Sequence, residues 1–140
     1  MIEIQPINLK RDYPLIASWW EQRKLKLIPE GCFLPSDGFM ARNGEPLAVS
    51  FLYTVPSANG GIGIIEFTTT NPVAKDKKGV LEAVKLLYAY LECVARTRGC
   101  GSVMALIVPN GSGEQHIMEE IGYQDVGDGP HRTYAKAIWR

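Results

Sequence analysis

The sequence predicts a mixed α+β fold: one mostly antiparallel sheet of about seven strands with helices packed against it. Three observations predict this class. Apolar segments alternate with turn signals in the middle of the chain, and a long amphipathic helix follows them. A short, continuous apolar run comes next, which is typical of an interior strand. One antiparallel sheet with a parallel crossover in its second half fits this order.

The first part of the chain predicts a strand, a helix and a loop. Apolar and polar residues alternate over Ile2–Ile7, as in a half-buried strand. A helix then opens with Asp12 as its N-cap and Pro14 in its first turn. Trp19 and Trp20 lie on its apolar face. We expect them to enter the core with one ring partly exposed, where it would line an acceptor pocket.

A three-stranded meander follows, with strands at Phe39–Arg42, Leu47–Val55 and Ile62–Thr70. The first two strands flank Asn43-Gly44, the sequence typical of a type I′ turn. In such a turn both central residues have positive φ. Pro72 ends the third strand.

The second half predicts a long helix from about Asp76 to Arg98, ended by Gly99. Its apolar positions follow helical spacing and should be buried as one stripe: Val80, Val84, Leu87, Leu91 and Val94. The apolar run Ser102–Val108 predicts a strand buried on both faces, adjacent and parallel to Ile62–Thr70 and splayed from it at one end. A short helix at Glu114–Ile121 and strands at Tyr123–Val126 and Arg132–Ile138 complete the chain.

Composition excludes several classes of protein. The chain has 140 residues, enough for one domain spanning 1–140. Lysine plus arginine number 15, as do aspartate plus glutamate, so the formal net charge is zero. That balance argues against a dedicated nucleic-acid-binding protein and a polybasic membrane-surface protein. The three cysteines form no CxxC pair, and we find no targeting or membrane-spanning segment. We expect a cytoplasmic protein with no membrane or nucleic-acid partner.

Four segments, in this order, resemble the GCN5-related N-acetyltransferases, the GNAT superfamily. They are the hairpin Phe39–Ala48, the strand end Glu66–Pro72, Asn110 after the apolar strand, and Ile121-Gly122-Tyr123. The resemblance covers nearly the whole chain. The stretch Leu34–Tyr53 and the lysine-rich loop are similar to small acetyltransferase-like proteins found among phage genes. The resemblance implies helices on both faces of the sheet, and acetyl transfer from acetyl-CoA, without a metal, to a primary amine of a small molecule or protein. The chain would be a monomer or homodimer.

Glu66 is the candidate catalytic residue. An amine with a pKa near 10 is mostly protonated at neutral pH, so a base must remove a proton. By strand alternation Glu66 shares a face with Ile64 and Thr68, and apolar neighbours raise the pKa of a carboxyl group. The resemblance also places a catalytic glutamate on this strand. The alternative is a solvent-facing residue paired with a cross-strand lysine or arginine.

The resemblance implies that acetyl-CoA is bound by the end of this strand, by the start of the long helix and by one asparagine. Strand backbone groups would contact the pantetheine arm, and the lysine-rich helix start would contact the phosphates. The residues are Phe67, Thr68, Thr69, Thr70, Lys75, Lys77, Lys78, Gly79, Val80 and Asn110. The alternatives are strand propensity for the threonines, a solvated helix start for the lysines and a simple turn for Asn110.

Two departures from the superfamily pattern favour a second hypothesis. The cofactor loop keeps one glycine, Gly79, where the pattern has two. Met118 occupies the position of the tyrosine that many members use as general acid, and methionine cannot donate a proton. The second hypothesis is a catalytically degenerate GNAT-fold protein that acts as a binding or interaction module.

Overall fold

The computed structural model describes residues 1–30, 34–58, 60–107, 114–126 and 132–138. Seven strands form one sheet in the order β1-β2-β3-β4-β5-β7-β6. The β4–β5 pair is parallel and every other pair is antiparallel. The elements in chain order are β1 (Glu3–Pro6), α1 (Leu9–Gln22), β2 (Gly38–Asn43), β3 (Glu45–Val55), β4 (Ile62–Thr70), α2 (Lys77–Thr97), β5 (Ser102–Ile107), α3 (Glu114–Glu120), β6 (Gln124–Asp125) and β7 (Arg132–Ala137). The predicted mixed, mostly antiparallel sheet is confirmed.

Helices cover both faces of the sheet. α1 packs against the face that carries Met40, Val49 and Phe51, which we call the α1 face. α2 and α3 pack against the opposite face, the α2 face, which carries residues such as Leu52 and Ile65. The main core lies on the α2 face and a smaller one lies under α1. Within the described residues no helix is both long and apolar enough to cross a membrane.

The predicted long helix forms, with a slightly different buried stripe. Val84, Leu87 and Leu91 are fully buried, whereas Val80 and Val94 are only partly so. Ala83, Tyr88 and Ala95 complete the buried face. The helix ends in a Schellman motif: the N–H of Cys100 donates to Ala95 O, that of Gly99 donates to Arg96 O, and Gly99 has φ 83°.

The start of α1 differs from the prediction. Asn8 is the N-cap, and its side chain accepts a hydrogen bond from the Arg11 N–H. Asp12 lies one turn later and accepts from the Asn8 N–H at 2.9 Å. Its neighbour Arg11 lowers the pKa of the Asp12 carboxyl group. Pro14 lies beyond the first turn, within the helix.

Three further predictions are wrong. Trp19 and Trp20 are both buried, because the α1 face of the sheet covers them. Asn43 does not have positive φ, and Gly44 at φ 72° makes the turn alone beside a register shift at Ala41/Arg42. β5 is not buried on both faces: Val103, Ala105 and Ile107 are buried in the main core, while Leu106 on the other face is 36% exposed. Its predicted last residue, at position 108, lies outside the described residues.

Candidate functional site

β4 and β5 pair over four residues and then separate. The parallel register runs from Ile62↔Ser102 to Ile65↔Ala105 and stops there. Beyond it, β4 remains paired with β3, and β5 remains paired with β7. The predicted splay is confirmed. We call the space between positions 66–70 of β4 and 106–107 of β5 the strand opening.

A β-bulge in β4 lies at the start of the strand opening. The register shifts between Val49 and Phe51, so Phe67 and Thr68 together face one residue of β3. Phe67 has φ 58°, a conformation that costs a non-glycine residue about 1–3 kcal/mol. Its ring packs edge-on against those of Phe51 and Tyr53, and these contacts help to offset the strain.

The bulge reverses the alternation of β4. Glu66 is the cross-strand partner of Phe51, so it lies on the α1 face, as does Phe67. The Thr68 hydroxyl instead lies on the α2 face, 2.7 Å from Ser50 Oγ and 3.3 Å from Tyr88 Oη. The prediction that Glu66 and Thr68 share a face is therefore wrong. The extra residue at Phe67 separates them.

Glu66 lies in partly apolar surroundings next to the strand opening. Burial raises the pKa of its carboxyl group above the usual range. Burial and then the Glu66 charge raise the pKa of the Tyr53 phenol. In the described part of the chain, no lysine or arginine makes an ion pair with Glu66. Its surroundings therefore favour the protonated form more than water does.

The last two threonines of β4 hold the strand in place with their side chains. Thr69 is buried, accepts a 2.8 Å hydrogen bond from Trp20 Nε1 and donates to the carbonyl of Phe67. The side chain of Arg23, just past α1, donates to the carbonyl and the hydroxyl of Thr70. These two hydroxyls and the carbonyls of Phe67 and Thr70 are engaged within the protein, so contact with a ligand falls to the remaining backbone groups of this segment.

The predicted phosphate-binding residues gather at the start of α2. Lys75, Lys77 and Lys78 are exposed, Gly79 is buried and Val80 is partly buried. The Lys77 ammonium donates to the carbonyl of Pro72. The Gly79 N–H donates to the Asp76 carboxylate at 2.8 Å, so the helix N-terminus already holds an anionic group. The remaining predicted ligand, Asn110, lies outside the described residues.

Two tyrosines near the opening were missed by sequence reasoning. Tyr88 is fully buried on α2 with its hydroxyl near that of Thr68, and its helical spacing marks it only as a core residue. The sequence pattern marks Tyr53 only as part of a strand.

Met118 is fully buried in the core. Among the described residues no group of His, Cys, Asp and Glu is arranged to hold a metal ion.

Solved acetyltransferases share this architecture. N-acetylglutamate synthase from Neisseria gonorrhoeae, complexed with coenzyme A and N-acetyl-glutamate, superimposes with a TM-score of 0.72 at 19% identity over 100% of this chain and 36% of that one. This chain thus spans about a third of that protein's length. A putative phosphinothricin N-acetyltransferase gives a TM-score of 0.72 at 14% identity over 100% of both chains. A GNAT-family acetyltransferase from Listeria monocytogenes gives 0.62 at 8% identity, covering 98% of this chain and 95% of that one.

At the sequence level the comparisons give nothing: no protein-family model matches the chain, and no curated protein matches it. At these identities the structural likeness establishes the fold. The chain has the fold of the GCN5-related N-acetyltransferases.

Proposed function

We propose that the chain is a single GNAT-fold domain at 1–140 that transfers an acetyl group from acetyl-CoA to a primary amine by direct attack. The observation that carries this proposal is the strand opening, with the bulge at Phe67 placing Glu66 beside it. A bulged, strained strand next to a carboxyl group with a raised pKa is typical of a functional site. The acceptor is a small molecule or a protein amine, and the chain acts as a monomer or homodimer.

The strand opening would receive the pantetheine arm of acetyl-CoA. Backbone groups of Phe67, Thr68, Thr69 and Thr70 would line it, since the threonine hydroxyls are engaged elsewhere. The phosphates would lie at the start of α2, against Lys75, Lys77, Lys78, Gly79 and Val80, and Asn110 is proposed as a further cofactor contact. The exposed ammonium groups suit this role because they face solvent beside a helix N-terminus.

Glu66 would act as the general base, directly or at the end of a water relay. It takes the proton that the attacking amine loses as the C–N bond forms and the thioester C–S bond breaks. The sulfur leaves as a thiolate. Because a thiol pKa near 8.5 makes the thiolate a good leaving group, buried Met118 does not prevent the reaction.

The test is release of free thiol from acetyl-CoA in the presence of a panel of primary amines. Glu66→Gln should lower kcat by about 10²–10⁴-fold, whereas the control Glu82→Gln, an exposed carboxylate on α2, should leave it unchanged. Wild-type kcat should rise with pH through the raised pKa of Glu66, and the variant should lack that rise. Full activity in Glu66→Gln would contradict the assignment.

A second candidate is a binding or interaction module on the same fold, without turnover. It is favoured by the Asp76 carboxylate at the α2 N-terminus, where a phosphate would otherwise bind, and by the buried methionine at position 118. A folded protein that binds CoA and releases no thiol with any amine would select it. For either candidate, the free thiols of Cys93 and Cys100 suit a reducing compartment such as the cytoplasm.

A further inference from the structure

α1 does not cover the part of the α1 face that lies next to Glu66. α1 packs over Val49 and Phe51, but not over the row that crosses the sheet beyond them. In that row Tyr53, Ile64 and Met104 are direct cross-strand neighbours on β3, β4 and β5. All three are partly exposed, and Leu106, on the same side of β5, is 36% exposed. Three strands spaced about 4.8 Å apart give an apolar strip roughly 10 Å long.

One charged side chain lies beside the middle of the strip, because Glu66 comes two residues after Ile64 on β4. On this part of strands β3 to β5, Glu66 and Tyr53 are the titratable residues among those described, and Glu66 alone is charged at neutral pH. The rings of Tyr53 and Phe67 lie next to it, with centroids 6.3 Å apart. A carboxylate beside aromatic rings attracts an ammonium ion through its charge and through cation–π contact.

The same surroundings disfavour an acidic acceptor. A carboxylate or phosphate placed here would face Glu66, and no described lysine or arginine on these strands would pair with it. An unpaired anion in partly apolar surroundings is costly. A second ammonium group would lie on the apolar strip and lose hydration there.

We infer that the acceptor is a monoamine with an aromatic or aliphatic substituent and no acidic group, its ammonium at Glu66 and its substituent along Tyr53, Ile64 and Met104. This inference rests on the proposed function, because it assigns the acceptor of that site. It also gives a partly exposed apolar strip an occupant with matching charge and shape.

The test compares 2-phenylethylamine, L-glutamate and 1,4-diaminobutane, by thiol release from acetyl-CoA and by calorimetric binding of each amine alone. The wild type should prefer 2-phenylethylamine by about tenfold or more in both measurements. Met104→Lys should remove about tenfold of its affinity and leave CoA binding unchanged. The control Leu86→Lys, on the outer side of α2 at 37% exposure, should change neither the affinity for 2-phenylethylamine nor the binding of CoA. Ile64→Ser serves as a milder second variant if Met104→Lys fails to fold.

Equal or better use of L-glutamate or the diamine would overturn the inference, as would unchanged 2-phenylethylamine affinity in both folded strip variants. So would a wild-type dimer in sedimentation equilibrium that Met104→Lys dissociates, because the strip would then be covered by a second copy of the chain. Failure of the proposed function looks different. In that case acetyl-CoA would release no thiol with any amine. Calorimetric binding of 2-phenylethylamine in the absence of CoA would still decide which class of amine the site takes.

Discussion

The carboxylate of Asp76 accepts a 2.8 Å hydrogen bond from the backbone N–H of Gly79, so a carboxylate of the chain itself occupies the N-terminus of α2. A phosphate bound there would compete with this carboxylate for the N–H groups and for the positive end of the helix dipole. Asp76 therefore stabilises the helix and would oppose the proposed cofactor binding at the same place.

Asp76→Ser should strengthen CoA binding by about two- to fivefold. Serine still caps the helix, and the variant removes one negative charge worth up to about 1 kcal/mol near a helix N-terminus. Calorimetric titration of CoA measures the effect. Glu82→Ser, which removes a charge further along the same helix, is the control and should change affinity little. Weaker binding in Asp76→Ser would mean that the phosphates lie elsewhere.

Changing Lys77 and Lys78 together to alanine should weaken CoA binding by about tenfold or more. The Asp76 cap leaves fewer backbone N–H groups for the phosphates, so lysine charge should supply much of the affinity. That contribution should fall steeply with salt, because the Debye length is about 8 Å at physiological ionic strength. Titrations of wild type and variant at low and high salt give four affinities, and four equal values would exclude the lysine contacts.

Leu87→Ala should lower the free energy of unfolding by about 2–5 kcal/mol. Leu87 is fully buried between α2 and the sheet, and truncation leaves a cavity there. The neighbouring residue gives a matched control, since Leu86 is 37% exposed on the same helix and Leu86→Ala should cost well under 1 kcal/mol. Denaturant unfolding measures both. Equal losses would show that the helix presents a different face to the core.

Glu66→Gln should make the folded state more stable at neutral pH. Burial raises the pKa of Glu66 in the folded state, so the native chain binds more protons than the unfolded chain between the two pKa values. The stability of the wild type therefore falls as pH rises through that interval, and the variant lacks this fall. Unfolding curves from about pH 3 to pH 8 should show a higher free energy of unfolding for the variant than for the wild type above the two pKa values of Glu66. Below both pKa values this difference should disappear. An advantage independent of pH would point to packing instead.

The sequence predicts the overall fold well because its main signals are local. The 3.6-residue spacing of Val84, Leu87 and Leu91 determines the buried face of α2, and Gly99 marks its end. The crossover between β4 and β5 then requires a parallel pair. These features depend on residues that are close together in the chain.

The site depends on features that the sequence pattern does not reveal. Alternation assumes a period of two, and the bulge at Phe67 breaks it without a glycine to signal the positive φ. Trp20 is buried under the sheet, where its indole N–H finds a hydrogen-bond acceptor in Thr69, 49 residues away. Asn8 and Asp12 are both good capping residues, and only the geometry shows that Asn8 is the cap while Asp12 bonds to its N–H.

The central claim is that acetyl-CoA binds in the strand opening, and amide NMR during a titration with CoA tests it most directly. We expect saturable one-to-one binding, with the largest shifts at Glu66–Thr70, at Leu106 and Ile107, and at Lys77–Val80. Saturable binding with shifts confined to other parts of the sheet would contradict it. So would a folded protein whose spectrum does not change at millimolar CoA.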